Sequence, residues 1–165
     1  MKYTCAVCGK QHNDWPALAF DSPYYYHNLP AAEKGAIAEL SADLCVITHK
    51  DRTDRFIRCT LTQKVNDSCQ DLDYGVWVSL SEKSFNDYQA NFDNKNHETA
   101  YFGYLCNDIP GYESTLSIPT SVETRVGGQR PNIIPDPAFD NQLVKDFYSG
   151  ISIREAEERI MKAFG

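Results

Sequence analysis

No run of residues in this chain approaches the ~20 consecutive apolar positions that a membrane helix needs, so nothing in the sequence points to a membrane-spanning role. The opening Met1-Lys-Tyr-Thr-Cys5 lacks the uninterrupted apolar core of a secretory signal, and a cytoplasmic location is expected. Positive charge is in short supply. The chain has 16 Lys and Arg against 23 Asp and Glu, a formal charge of −7 and a pI near 5.0. Binding to phosphate backbones depends on clustered Lys and Arg, so nucleic acid and anionic membranes are not the expected partners. An acidic body suits a basic protein partner instead. The metalloprotease pattern HExxH is missing, and so is the HxE…PCxxC pattern of zinc deaminases. No acid and base stand paired at a telling spacing, and there are no repeats, linkers or low-complexity tracts. A non-enzymatic protein is therefore expected. With 42% hydrophobic and 12% aromatic residues, 165 residues are enough to bury a real core and suit one domain over 1–165.

What is present is led by Cys5-Ala-Val-Cys8-Gly9-Lys-Gln-His12. Two thiols three positions apart converge on one point only if the backbone folds back after the second, and Gly9 supplies the positive-φ residue that such a turn requires. His12 then offers a third donor, and the segment 1–20 reads as a zinc-knuckle-like unit packed on the rest of the chain. Six cysteines could also form three disulfides, but a reducing cytosol disfavours that reading. A redox role is the other alternative. Thioredoxin-type pairs, however, follow a buried strand and open a helix, whereas few residues precede Cys5 and Gly9 interrupts any helix.

Downstream, prolines 16 and 23 make the stretch 13–23 irregular, and Tyr24 to Tyr26 divide between core and surface. Pro30 and the helix formers after it predict a helix over 30–40. Leu44–Ile47 and Arg55–Thr62 read as a hairpin whose Ile57-Cys59-Leu61 face is buried. A polar loop at 66–73 leads to a buried strand at 74–80. Ser81, or Ser79 with Glu82, caps a helix over 82–92 whose Phe85, Tyr88 and Phe92 share the core face. Tyr101–Cys106 is a further strand, Pro110-Gly111 a turn, and 115–126 a strand or strand pair near a sheet edge because of Pro119. Gly127-Gly128 reads as a plain turn and Arg130–Pro135 as extended chain. Helices are expected over 139–148 and from Ser152, where Glu155 completes a capping box and Ile153, Ala156, Ile160 and Phe164 form one stripe. Strands in a run with flanking helices imply an α+β fold with a mainly antiparallel sheet.

The segments Cys5-x2-Cys8-Gly9-x2-His12, Ser41-Ala-Asp43-Leu-Cys45-Val-Ile47, Tyr101-Phe-Gly-Tyr-Leu105, Pro110-Gly-Tyr112 and Gly127-Gly-Gln-Arg130-Pro131 together resemble a bacterial family catalogued only as a domain of unknown function. The likeness spans nearly the whole length. It implies a small soluble bacterial protein and supplies no activity. The chain departs from the family pattern at Asp140-Asn141-Gln142, where a histidine and a proline usually follow the acid.

A tetrahedral zinc needs a fourth donor beside Cys5, Cys8 and His12, and Cys45, Cys59, Cys69, Cys106 or another histidine could supply it. Cys45 is favoured, since it flanks a turn in a segment that matches the family. Cys59 and Cys106 read as core thiols and Cys69 as exposed and free. The expected function is a cytoplasmic protein with one structural zinc that binds another protein, with an immunity- or antitoxin-like inhibitor as one form. Two alternatives stay open. One is a zinc hydrolase using Cys5, Cys8 and His12 with water in the fourth place. The other is a small-ligand pocket lined by Tyr24 to Tyr26, Trp77 and Arg130.

Overall fold

The structure is a computed structural model and describes residues 2–6 and 8–164. Val7, inside the cysteine turn, lies outside the described residues, as do Met1 and Gly165. Lys2–Thr4 (β1) and Gln11–Asn13 (β2) pair as a small antiparallel hairpin separate from the main sheet. Leu18–Ala19 (β3) then joins the main sheet within the stretch expected to be irregular. Pro23 and Pro30 precede the helical turn Tyr24–His27 (α1) and the helix Ala31–Ile37 (α2). In both cases the missing proline N–H falls where no intrahelical donor is needed.

The helix expected over 30–40 ends early, because Ala38–Leu40 (β4) peels away and pairs with Leu44–Thr48 (β5). A run weakened by Gly35 holds only two turns of helix, and ladder bonds to β5 take its last three residues. From β5 the chain turns as expected into Thr53–Gln63 (β6), then Leu72–Leu80 (β7), with Arg55 opposite Leu80 and Gln63 opposite Leu72. The Ser81 hydroxyl accepts a bond from the Ser84 N–H at 3.2 Å and starts Glu82–Ala90 (α3). Ala100–Leu105 (β8), Pro119–Glu123 (β9) and Asn132–Pro135 (β10) follow, then the helices Gln142–Ser149 (α4) and Ile153–Phe164 (α5).

Pairing runs β6–β7–β8–β9–β10 antiparallel throughout, and β10 returns to lie parallel to β6 with Asn132 opposite Thr60. The meander thus closes on itself. Five up-and-down strands must have one parallel seam, and the short strands β3 and β4 stand at the two ends of the sheet. Ile57, Cys59 and Leu61 of β6 lie in one core with Val76, Val78, Val122 and Ile133, all essentially without exposure. Phe85 and Tyr88 of α3 and Leu143 and Val144 of α4 pack on the same core. Phe56 and Trp77 point the other way, into a second core with Cys45, Ile47 and Cys106 that Tyr26, Leu29 and Ile37 cover.

Three expectations are corrected. The strand containing Pro119 lies between β8 and β10 rather than near an edge, because Pro119 is its first residue, where a missing donor is tolerated. Phe92 lies past the end of α3, 44% exposed and edge-on to Tyr88, so it leaves the core stripe. On α5 only Ala156 is buried, while Ile153 and Phe164 of the expected stripe face solvent.

Candidate metal centre

The first hairpin brings its donors together by register. Tyr3 stands opposite His12 and Thr4 opposite Gln11. Beyond the ladder, the Cys5 N–H donates to the Lys10 carbonyl and the Gly9 N–H to the Cys5 carbonyl, both at 2.8 Å. Gly9 takes φ +71°, a left-handed value that a side chain resists. The turn folds Cys8 back, so that its Sγ lies 3.1 Å from His12 Nε2.

A fourth candidate donor comes from the loop after β6. Cys69 Sγ joins Cys5 Sγ, Cys8 Sγ and the His12 ring in a group whose ligand atoms all lie within 4.8 Å of one another. Donors on a tetrahedron with ~2.3 Å metal–sulfur bonds stand about 3.8 Å apart, so the group needs only small side-chain adjustment to enclose an ion. Gln70 holds the loop in place. Its Nε2 donates to the Asn13 carbonyl at 2.9 Å, and its Oε1 accepts from the Trp15 N–H at 3.3 Å. Asp71 accepts from the Val65 N–H at 3.1 Å and closes the loop on itself.

The three thiols and the imidazole are mutually adjacent, and the Cys69 thiol responds to its neighbours. Hydrogen bonds with Cys8 and Cys5, with lesser help from desolvation, push the Cys69 thiol up to about 12. Without a cation the Cys69 thiol therefore holds its proton. A bound metal reverses this by stabilising thiolates directly.

Cys45 is not among these donors. It sits on β5 opposite Leu40 and Phe56, has no exposure and packs with Ile47 and Trp77 in the second core, where burial pushes its thiol up to about 12. It behaves as a small buried hydrophobe. The place beside Cys5, Cys8 and His12 belongs to Cys69, which the sequence marked only by putting a thiol, usually a buried residue, in a hydrophilic loop. Cys59 and Cys106 are buried, as core thiols should be. The pocket envisaged between Tyr24 to Tyr26, Trp77 and Arg130 does not assemble. Trp77 is wholly buried with its Nε1 donating to the Phe20 carbonyl, Tyr25 stacks on Phe56, and Arg130 lines a cleft that contains none of them.

The class these features define is an α+β protein with a mostly antiparallel sheet and a Cys3His group able to hold a metal ion. The chain belongs to the family described as uncharacterized proteins conserved in bacteria (DUF2199), whose model matches residues 4–151 and so takes in all four donors. No curated protein and no solved structure matches the chain. Among the described residues no helix is long and apolar enough to cross a membrane.

Proposed function

We infer that Cys5, Cys8, His12 and Cys69 hold one zinc ion in a structural role, and that the protein acts without catalysis by binding another protein. The observation that carries this reading is the arrival of Cys69 at the hairpin, since it completes a four-donor set from two distant segments. Three thiolates and an imidazole are soft donors suited to zinc rather than to magnesium or calcium. Four protein donors fill a tetrahedral ion and leave no place for an activated water, which weighs against the hydrolase alternative.

Such a site fastens the N-terminal hairpin to the loop between β6 and β7. The partner is read from charge and from exposed surface. A body of net charge −7 attracts a basic protein. On the outer face of β8, Phe102 is 59% and Tyr104 45% exposed, stacked edge to face at 5.0 Å. Exposed paired aromatics are characteristic anchors of protein interfaces. An inhibitor that covers the basic active site of a nuclease is the form of this reading that charge favours most.

Cobalt substitution tests the closed site. The cobalt protein should show the intense visible absorption of four-coordinate cobalt, unchanged by azide or cyanide. A spectrum that shifts on adding either anion would reveal an open position and favour the hydrolase. Calorimetry with the purified product of the adjacent gene then tests the partner, with binding to a basic protein expected and its absence counting against the inhibitor form.

A further inference from the structure

A second candidate site shares no residue with the group of Cys5, Cys8, His12 and Cys69. A cleft of about 510 Å³ opens between the end of α3, the loop 91–99 and the turn 124–131 that joins β9 to β10. That volume suits a small organic ligand. Three cationic side chains line it, Lys95, Arg125 and Arg130, in a chain whose net charge is −7. Of the two carboxylates in the lining, Asp43 is engaged, accepting from Arg130 Nε at 2.7 Å.

Both guanidiniums are held in place with most of their donors unspent. Arg125 donates from Nε to the Arg130 carbonyl at 2.7 Å and from an Nη to Thr60 Oγ1 at 3.4 Å. A guanidinium carries five N–H donors, so each keeps several for a ligand. His97 is fixed as well. Its Nε2 lies 3.0 Å from the Tyr101 hydroxyl, which donates to Asp87 Oδ2 at 2.6 Å. The opposite nitrogen, Nδ1, makes no bond among the described residues. The Gly127 N–H donates to the Lys95 carbonyl at 2.9 Å and draws the turn against the loop. Gly127 and Gly128 have φ +83° and +73°, values that favour glycine and let the turn lie this close.

One exposed aromatic ring also lines the cleft. Phe92, exposed beyond its helix, stands edge-on to Tyr88, and both line the cleft. The ring touches α3 through Tyr88 yet is 44% exposed, which leaves part of it free to stack on a ligand.

We propose that this cleft binds a small phosphate monoester bearing a flat ring, with Arg125, Arg130 and Lys95 on the phosphate and Phe92 on the ring. A carboxylate is matched by a single guanidinium, whereas a dianion with three terminal oxygens uses two forks and an ammonium. The proposal does not rest on the zinc site.

Phenyl phosphate is the probe, titrated into the full-length protein as purified and followed by amide and arginine Nε resonances. Saturable shifts at Gly127, Gly128, Arg125 and Arg130 are expected, with benzoate binding at least ~10-fold more weakly. Arg130→Gln should weaken phenyl phosphate by ~10-fold or more. Lys95→Ala, at an exposed position, should weaken it several-fold with the melting temperature unchanged, which keeps the test valid if Arg130→Gln fails to fold. Phe92→Ala should weaken phenyl phosphate and leave inorganic phosphate unaffected. Absence of saturation at millimolar probe, shifts centred elsewhere, equal affinity for benzoate, or undiminished binding in a folded Lys95→Ala would each overturn the proposal.

Discussion

The side-chain amide of Gln70 donates to the backbone carbonyl of Asn13 at 2.9 Å, across 57 positions of sequence. Its oxygen accepts from the Trp15 N–H, so one side chain grips the backbone on both sides of Asp14. Cys69 is the residue before Gln70 and His12 the residue before Asn13. The two donors that come from different segments are thus positioned by a clamp one residue away from each.

Gln70→Ala should therefore loosen the metal centre without removing a donor. The expected outcome is zinc still bound, with affinity reduced several-fold and stability lower by about 1 kcal/mol for the lost hydrogen bonds. Competition with a chromogenic chelator beside a denaturation curve checks it. Unchanged affinity would mean that the clamp does not position the site.

Cys45→Ser separates burial from ligation. A hydroxyl placed in the second core without a partner should cost roughly 1–3 kcal/mol, with zinc content unchanged. Loss of zinc in a folded Cys45→Ser protein would return Cys45 to the donor set and remove Cys69 from it.

The pH dependence follows from the buried thiols. Burial raises Cys45 to about 12 and Cys106 to about 11. The folded state therefore holds these protons more tightly than the unfolded chain, whose thiols titrate near ~8.5. Their contribution is fully present below that value and is lost as pH rises towards 11 and 12. The melting temperature should fall steadily above pH ~8.5, and Cys106→Ala should flatten part of that fall. A constant melting temperature across this range would contradict the burial of these thiols.

Ser152→Ala tests the last helix. Ser152 Oγ accepts from the Glu155 N–H at 3.1 Å at the start of α5, and its loss should cost ~1 kcal/mol. An unchanged denaturation midpoint would show that the cap contributes nothing to global stability.

Much of the fold was legible wherever a pattern is local. The β5–β6 hairpin declares itself by the alternation of Ile57, Cys59 and Leu61, and the starts of α3 and α5 by Ser81 and Ser152. What sequence could not show depends on contacts between distant segments. Nothing near Ala38 says that β5 will take the end of a helix, and nothing near Pro119 says that a strand opening with proline will be covered on both sides. In the candidate site, Gly9 and the spacing of Cys5 and Cys8 mark the turn by themselves. Cys69 lies beside it on a loop that Gln70 docks on Asn13, a pairing invisible in a polar loop read alone. Cys45 was the attractive alternative because it matched a family segment, but that segment is a strand of the second core and its thiol faces Trp77 and Ile47.

Zinc content of the wild-type chain and of Cys69→Ser, both purified without chelator and compared by metal analysis, tests the central claim most directly. The account predicts about one zinc per chain in the wild type, the stoichiometry of a single four-donor site. It predicts a lower content with a lower melting temperature in Cys69→Ser, because metal binding to such a site is coupled to folding. Folded, reduced wild-type protein without zinc, or a Cys69→Ser protein that retains zinc with equal affinity and equal melting temperature, would contradict it.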